Sequence, residues 1–343
     1  MDLIVEYLNF LRDNYPLEKY FIGAGVAALS VYLYRRHIEG GQFRKNHVKM
    51  DGKVVIITGA NTGIGKETAI DLARRNAKIY LACRDYNRCE AARMEIIEKT
   101  GNTKIYNRHL DLGTLNSVRE FVEEFSKEEQ RLDVLINNAG VLYLPHSMSV
   151  DGCETHMQVN HMSHFLLTHL LLDHLKKAPQ GRIVNVSSLG YKSAKIDKDD
   201  FHLQKPNSFG FFRSYCNTKL AQILTTQRLA KELEGTNVTV NSLHPGMIQT
   251  EIGRNAKIPK IIQWLLVPIF YIFFSKSLKS GAQTTVCCAV DPDLATVSGQ
   301  YFSDCEVVQF KKLKGQAKDQ DINDFVWEES LRLAKIPKNF QYK

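Results

Sequence analysis

Tyr215 and Lys219 are the two side chains whose types and spacing most directly suggest chemistry. They lie four positions apart, so a helix would place both on one face, about one turn apart. A neighbouring ammonium group favours phenolate over phenol, so it lowers the pKa of a tyrosine from roughly 10 toward neutral pH. Such a tyrosine can give and take a proton. The same spacing also occurs by chance on surface helices, so the upstream sequence has to decide.

A glycine-rich turn after residue 58 is typical of a dinucleotide phosphate site. Residues 53–58 predict a buried strand, and the turn leads from it into a helix that ends near Arg75. The spacing is GxxxGxG rather than GxGxxG. Gly59 would permit the tight turn, Gly63 the approach of backbone to pyrophosphate, and Gly65 the packing of helix on strand. The helix N-terminus would favour the phosphates. The expected cofactor-binding residues here are Gly59, Asn61, Thr62, Gly63, Ile64 and Gly65.

The ends of the next strands predict the adenosine part of the site. Residues 78–83 form a second strand that ends at Arg84, where an NAD enzyme would carry an acidic residue for the ribose. A guanidinium there can pair with a 2′-phosphate, so we expect NADP(H) rather than NAD. The alternative is a solvated Arg84 with Asp85 near the ribose. Asp111 is placed to accept from the adenine amino group, and Asn138 lies in the small-residue stretch 137–140 beside the cofactor.

The alternation of strands and helices predicts an α/β fold. We expect a Rossmann-type, doubly wound parallel sheet with helices on both faces and ligands at the carboxyl ends of the strands. The predicted organisation is a membrane anchor at 1–36, a linker at 37–52, a catalytic domain at 53–310 and a C-terminal extension at 311–343.

The predicted anchor rests on fifteen uncharged residues between Lys19 and Arg35, with aromatic side chains at both ends. Aromatic residues are enriched at the interfaces of a bilayer. A comfortable span takes about 20 residues, so this stretch is short. We interpret it as an uncleaved anchor, in preference to a helix that lies on the membrane surface. Basic residues follow it, and the positive-inside rule then keeps the rest of the protein in the cytosol.

Cysteine usage, charge and histidine spacing narrow the function classes. The seven cysteines are scattered and lack a CxxC pair, which favours a reducing, cytosol-facing location over a disulfide framework. The net charge is +8, and its basic runs lie near apolar sequence, so we expect membrane lipids and no nucleic acid as partners. Metal-ligand spacing is missing among four clustered histidines, so no metal site is expected; these are His156, His161, His164 and His169.

Six motifs in order resemble the short-chain dehydrogenase/reductase family, from about residue 53 to residue 303. They are TGANTGIG, NNAG, the VNH of 159–161, the NVSS of 185–188, YxxxK and the HPG of 244–246. GANTGIGKET, ACRD, DGCE and the N-terminal stretch look like the retinol dehydrogenase branch, types 11 to 14, with the closest likeness to type 13. The resemblance implies a nicotinamide cofactor and oxidoreductase activity.

The resemblance also implies a role for each matching residue. Tyr215 would be the acid in carbonyl reduction and the base in alcohol oxidation, and Lys219 would lower its pKa and hydrogen-bond the nicotinamide ribose. Ser188 would polarise the substrate carbonyl, with Ser187 as the neighbour that could be confused with it. Asn160 would hold a water that links Lys219 to solvent. The residues expected at the nicotinamide end are Pro245, Gly246 and Thr250.

The substrate region departs from generic members of the family. Ser188 and Tyr215 are 27 positions apart, a longer spacing than in the family's shorter members, and residues 191–213 are expected to loop beside the substrate entrance. Residues 264–274 are uncharged and too few to span a bilayer. We interpret this stretch either as an apolar substrate lid or as a packed core helix. The basic residues on both sides of it also fit a lid that dips into the lipid headgroup layer.

The expected function is NADP(H)-dependent interconversion of a lipophilic alcohol and its aldehyde or ketone, with reduction of retinal to retinol as the leading reaction. Reduction of steroids or lipid-derived aldehydes is the alternative within this class. A catalytically silent NADP-binding scaffold on membranes or lipid droplets is the alternative from another class. The expected location is the endoplasmic reticulum membrane with a cytosol-facing catalytic domain, and the mitochondrial membrane is the alternative. The expected partners are the lipophilic substrate, membrane lipids and a second copy of the chain.

Overall fold

The computed structural model describes residues 17–205, 210–248, 273–337 and 339–342, together with Glu6 and Phe10. Within these residues eight strands form a single sheet. They are β1 (Val54–Thr58), β2 (Lys78–Cys83), β3 (Ile105–His109), β4 (Val134–Asn137), β5 (Gly181–Val186), β6 (Val238–His244), β7 (Tyr301–Ser303) and β8 (Glu306–Val308). The strand order is β3-β2-β1-β4-β5-β6-β7-β8. All neighbouring pairs are parallel except β7 and β8.

The helices connect the strands in the order expected of a doubly wound fold. They are α1 (Leu17–Glu39), α2 (Gly63–Arg74), α3 (Tyr86–Thr100), α4 (Leu115–Glu128), α5 (Thr155–Met157), α6 (Ser163–Leu170), α7 (Leu172–Lys176), α8 (Gly210–Glu232), α9 (Leu278–Val290) and α10 (Gln320–Leu333). A π-helical segment, Gln158–Met162, joins α5 to α6. Short 3₁₀ segments lie at Leu189–Ser193, Lys198–Asp200, Pro292–Leu294, Phe310–Lys312 and Gly315–Lys318.

Both faces of the sheet are covered, which explains the apolar runs in its central strands. All five residues of β1 are buried. Val54 and Ile56 belong to one core cluster with residues of α4, α6, α8 and α10. Val55 and Ile57 point to the opposite face and belong to a second cluster with residues of α2, α3 and α9. The predicted α/β architecture is therefore confirmed, with two helical layers around one sheet.

The segments on either side of the sheet domain pack onto it. The Arg75 guanidinium donates to the carbonyl oxygens of Lys45 and Val48, both at 2.9 Å, so the stretch predicted as a linker is held at the end of α2. Trp327 of α10 is buried and packs edge-on against Phe165, with ring centroids 5.3 Å apart. The stretch predicted as a C-terminal extension therefore contributes to the core.

The N-terminal stretch predicted as an anchor forms α1. In the part of the chain that the structure describes, no helix combines the length and the apolar character needed to cross a membrane.

Candidate active site

Helix α8 carries the predicted catalytic pair. It places Tyr215 and Lys219 one turn apart, with the Lys219 Nζ atom 5.6 Å from the centre of the Tyr215 ring. Both side chains are buried, at 9% and 3% exposed. The helix predicted from the YxxxK spacing is present, and it brings the two groups together beside the carboxyl end of β5.

The pKa of Tyr215 corrects one expectation. The ammonium of Lys219 was expected to lower it, whereas burial raises the pKa of Tyr215 to about 12, against the opposing effect of a hydrogen bond with Ser188. Burial also lowers the pKa of Lys219 to about 7. Removing either group from water disfavours its charged form, which accounts for the direction of both shifts. Tyr215 is therefore a protonated phenol at neutral pH.

Backbone and amide oxygens hold the Lys219 side chain. Its Nζ atom donates to the carbonyl oxygen of Val186 at 2.8 Å and to Oε1 of Gln222 at 3.1 Å. An ammonium group has three N–H donors, and these two acceptors are neutral. The lysine is thus fixed by hydrogen bonds and keeps an uncompensated charge when protonated.

The two serines at the end of β5 have different surroundings. The Ser187 hydroxyl donates to the carbonyl oxygen of Lys219 at 2.7 Å and is buried, so it fixes the backbone of α8. The Ser188 hydroxyl accepts from the backbone N–H of Gly190 at 3.1 Å and is hydrogen-bonded to Tyr215. Ser188 is the serine beside the phenol, as expected.

Asn160 lies within the π-helical segment and holds the loop after β4. Its Oδ1 accepts from the N–H of Val141 at 2.8 Å, and its Nδ2 donates to the Val141 carbonyl oxygen at 3.0 Å and to Thr218 Oγ1 at 3.2 Å. Its own carbonyl oxygen accepts from Gln222 Nε2 at 2.8 Å and from His164 Nδ1 at 3.1 Å. Asn160 therefore joins the π-helical segment to the loop after β4 and to α8.

A cleft of about 260 Å³ runs along the carboxyl ends of β1, β2 and β4. It collects most of the predicted cofactor-binding residues, namely Gly59, Asn61, Thr62, Gly63, Ile64, Gly65, Arg84, Asp111 and Asn138. Pro245 follows β6 and is half-buried beside Gly246, whose φ is +89°. Thr250 lies outside the described residues.

The glycines of the cleft occupy positions that a side chain could not. Gly59 has φ +65°, and a Cβ there would lie 2.9 Å from the Cα atom of Ala139. A Cβ on Gly65 would lie 2.5 Å from Asn138 Nδ2 and 2.6 Å from the Gly59 carbonyl oxygen. Gly63 begins α2 with φ +58°. These positions keep the backbone of the turn open to a ligand at the N-terminus of α2, so the residues present fit the phosphates of a dinucleotide.

Thr58 organises the loop after β4, and the sequence did not single it out. Its Oγ1 atom accepts from the N–H groups of Asn138 and Ala139, both at 2.9 Å, and contacts His164 Nε2 at 2.8 Å. Asn138 Nδ2 donates back to the Thr58 carbonyl oxygen at 2.8 Å. A threonine as the last residue of the strand before a glycine turn is the local signal that could have identified it.

The end of the cleft beside β2 contains two arginines. Arg84 is exposed on the rim of the cleft, and Arg88 in the first turn of α3 lines the same cleft. The Asp85 carboxylate caps α3 by accepting from the N–H of Arg88 at 3.0 Å. Asp111 Oδ1 accepts from the N–H of Gly113 at 2.9 Å. Sequence reasoning missed Arg88, although its place one turn after Arg84 was visible.

The clustered histidines bond to structural partners. His161 Nε2 contacts Ser330 Oγ at 2.8 Å, and His169 Nε2 contacts the Tyr342 hydroxyl at 3.1 Å. Burial lowers the pKa of His161 to about 3, and that of His164 and His169 to about 4. These imidazoles are therefore neutral at pH 7, and they connect the π-helical segment and α6 to the C-terminal part of the chain and to β1.

Comparisons with known proteins agree with this geometry. A model of the short chain dehydrogenase family matches residues 53–197 and 204–260. Human retinol dehydrogenase 11 is 46% identical over 291 residues, which cover 84% of this chain and 88% of that protein. Human retinol dehydrogenase 13 is 44% identical over 314 residues, covering 91% and 93%. A crystal structure of an uncharacterised Mycobacterium paratuberculosis protein superposes with a TM-score of 0.67 at 28% identity, covering 86% of this chain and 98% of that one.

The predicted resemblance to retinol dehydrogenases 11 to 14 is thus confirmed, with type 13 among the similar relatives. The family match covers more than half of the chain. This chain therefore belongs to the short-chain dehydrogenase family, as an NAD(P)-dependent oxidoreductase that acts on CH–OH groups.

Proposed function

We propose that the protein reduces a lipophilic aldehyde, with retinal as the leading substrate, at the expense of NADPH. The observation that carries this proposal is the arrangement of the Tyr215 phenol, which is hydrogen-bonded to Ser188 and has Lys219 over its ring. A phenol that is protonated at neutral pH is an acid, and carbonyl reduction needs an acid at the carbonyl oxygen. The retinoid assignment is supported by relatives named retinol dehydrogenases.

The residues divide the work of reduction. A nicotinamide bound in the cleft would supply the hydride, held by the glycine turn and by the third N–H of Lys219 at its ribose. Ser188 donates to the substrate oxygen and stabilises the negative charge that develops there. Tyr215 transfers its proton to that oxygen. The resulting phenolate then lies beside the Lys219 ammonium, which stabilises it.

NADP(H) is favoured over NAD(H) by charge at the adenosine end. Arg84 and Arg88 border the cleft where the adenosine ribose would lie. The carboxylate of Asp85, which could have served a ribose hydroxyl, accepts from the backbone of α3. A 2′-phosphate at this place would meet two guanidinium groups, which bind phosphate through charge-assisted hydrogen bonds.

Membrane association is the second part of the proposal. Helix α1 is hydrogen-bonded to the end of the apolar stretch 264–274 and to the residues just after it. The Tyr34 hydroxyl donates to the Phe273 carbonyl oxygen at 2.7 Å, and Arg35 donates to the Ser275 carbonyl oxygen at 2.8 Å. Glu39 accepts from the Ser277 hydroxyl at 2.8 Å. Exposed apolar side chains along α1 and at residues 273 and 274 would face the lipid, so substrate dissolved in the membrane would enter beside them.

The reaction is tested with NADPH and all-trans-retinal, following retinol formation by chromatography. Tyr215→Phe is expected to lower the rate by about 10²- to 10⁴-fold, the usual contribution of a general acid. Tyr301→Phe is the matched control. Tyr301 is a buried tyrosine on strand β7, and its hydroxyl has no hydrogen-bond partner among the described residues. Equal consumption of NADPH by the Tyr215→Phe variant and the parent would rule out the catalytic assignment and favour a cofactor-binding scaffold.

A substrate and cofactor panel tests the finer points. Retinal, a steroid ketone and a long-chain aliphatic aldehyde are each offered with NADPH and with NADH, and retinal with NADPH is expected to have the highest kcat/KM. Faster turnover of the steroid or the aliphatic aldehyde would reassign the substrate class.

Membrane association is measured by flotation with phosphatidylserine-containing vesicles. The full chain is expected to float, and a chain lacking residues 1–36 is expected to retain weaker, salt-sensitive binding through the basic flanks of residues 264–274. If the truncated protein does not bind these vesicles at all, the proposed membrane contact through residues 264–274 is wrong.

A further inference from the structure

Gln222 lies one helical turn beyond Lys219 on α8, and both ends of its side-chain amide are engaged. Its Oε1 accepts from Lys219 Nζ at 3.1 Å, and its Nε2 donates to the carbonyl oxygen of Asn160 at 2.8 Å. The side chain is buried. The amide therefore links the lysine of the candidate active site to the π-helical segment.

We propose that Gln222 is a positioning residue that holds Lys219 beside Tyr215 with a neutral acceptor, so that the ammonium stays uncompensated until Tyr215 gives up its proton. This inference rests on the roles proposed above for Tyr215 and Lys219. It assigns to the chain a residue outside the tyrosine–lysine–serine–asparagine set.

The contacts of Asn160 fix the orientation of the amide. A carbonyl oxygen only accepts, so the Gln222 group that meets it must be the NH₂, and the amide oxygen must then point to Lys219. The same carbonyl oxygen also accepts from His164 Nδ1 at 3.1 Å. Both directions of this acceptor are thus used by buried side chains, and Gln222 cannot turn without leaving a buried polar group unsatisfied.

The other groups that face Lys219 add no negative charge. Strand β5 provides the Val186 carbonyl oxygen at 2.8 Å. Helix α6 provides His164, whose pKa burial lowers to about 4, so it is neutral at pH 7. Helix α8 itself provides Tyr215, which is protonated. Among the described residues no carboxylate contacts Lys219, and burial is the cause of its lowered pKa.

Replacements at residue 222 have opposite effects under this proposal. A carboxylate in Gln222→Glu would pair with the ammonium and is expected to raise the pKa of Lys219 by about one to three units. Gln222→Leu removes an acceptor from the charged form and is expected to lower it. Gln227→Leu is the matched control, because Gln227 is on the same helix and donates to the Ala317 carbonyl oxygen at 3.3 Å, away from Lys219.

The first readout is an NMR titration of ¹³C-labelled lysine in the full chain without added cofactor, with the Lys219 signal assigned from a Lys219→Met variant. The titration is expected to move to higher pH in Gln222→Glu, to lower pH in Gln222→Leu and to stay in place in Gln227→Leu. An unchanged Lys219 titration in Gln222→Glu overturns the proposal, and this nearly isosteric variant decides the matter if Gln222→Leu does not fold.

The second readout is the pH dependence of kcat for NADPH-dependent reduction. Its basic limb is expected to follow the titration in each variant, and Gln222→Leu is expected to lose about 10- to 100-fold in kcat, as for a lost hydrogen bond to a charged group, with a smaller change in KM. The shorter amide of Gln222→Asn cannot reach both Lys219 and Asn160. A Gln222→Asn variant with the kcat and the pH dependence of the parent would therefore contradict the proposal. If no variant, including the parent, turns over substrate, the proposed function fails while the titration still tests the contact.

Discussion

Replacing Lys219 by methionine is expected to abolish reduction. It is also expected to raise the free energy of unfolding at low pH. Burial lowers the pKa of Lys219 from 10.5 to about 7. Each pKa unit corresponds to about 1.4 kcal/mol, so holding this lysine charged in the folded state costs about 5 kcal/mol relative to the unfolded chain, as an order of magnitude. The two hydrogen bonds to Val186 and Gln222 offset part of this, because their loss leaves buried acceptors unsatisfied at about 1–3 kcal/mol each.

The pH dependence of this effect has a defined sign. Below pH 7 both the folded and the unfolded parent carry the proton, so Lys219 makes no pH-dependent contribution there. Between pH 7 and 10.5 the unfolded chain binds more protons at this site than the folded one, so the stability of the parent rises with pH. The free energy of unfolding of Lys219→Met minus that of the parent is therefore expected to fall by about 4 kcal/mol between pH 6 and pH 10.

Urea unfolding at pH 6, 8 and 10 measures this difference. Contributions from other titrating groups cancel in the comparison of variant with parent. Lys231→Met is the matched control, because Lys231 is an exposed lysine on the same helix. A difference between Lys219→Met and the parent that stays constant within about 0.5 kcal/mol over this range would refute the reasoning, because it would mean that Lys219 titrates as it does in the unfolded chain.

Three further predictions concern the cleft and the N-terminal helix. Gly65→Ala is expected to weaken NADPH binding in a fluorescence titration by about 1–3 kcal/mol, as for overpacking, because its Cβ would lie 2.5 Å from Asn138 Nδ2. Gly25→Ala is the control, since nothing lies within 4 Å of a Cβ at that position. An unchanged Kd for NADPH in Gly65→Ala would contradict the packing argument. Arg88→Ala is expected to raise KM for NADPH about tenfold, the effect of losing a charge-assisted hydrogen bond, and to leave KM for NADH unchanged. An equal rise in KM for both cofactors would exclude a contact between Arg88 and the 2′-phosphate. Glu39→Ala is expected to lower the free energy of unfolding at pH 7 by about 1 kcal/mol, because it removes the acceptor for the backbone N–H and hydroxyl of Ser277, the residue before α9. Against the opposing effect of burial, hydrogen bonds from Ser280 and Ser277 hold the pKa of Glu39 below 4.5, so this stabilisation is present above pH 4.5. A difference between variant and parent that persists when the pH falls through the folded pKa would contradict this prediction.

The fold and the cofactor turn were predictable because their signals are local. The buried run of β1, the glycines at 59, 63 and 65 and the strand–helix period lie within short windows, and the structure has the predicted strand and helix within one residue of the expected ends. The tyrosine–lysine pair was also local, since a single helix positions both residues.

The electrostatics of the site could not be read from the sequence. Spacing alone suggested that Lys219 lowers the pKa of Tyr215, and the opposite shift follows from burial by elements distant in the chain. Gln222 and Thr58 act through partners on other strands and helices, so their roles depend on tertiary contacts. The docking of α1 onto residues 273–277 joins positions about 240 residues apart, and no local pattern predicts such a contact.

In the proposed reaction, the opposite pKa shifts of Tyr215 and Lys219 suit the transition state better than the resting enzyme. Among the described residues the ammonium of Lys219 has neutral hydrogen-bond acceptors and no carboxylate. Its first negatively charged neighbour is the Tyr215 phenolate, which exists only once the proton has moved to the substrate. Attraction between the two therefore grows as the reaction proceeds, in a buried site where water screens it little. Interactions that strengthen in the transition state raise kcat, whereas a permanent ion pair would stabilise the ground state and the transition state equally. The same argument explains why a neutral glutamine, and not a glutamate, suits position 222.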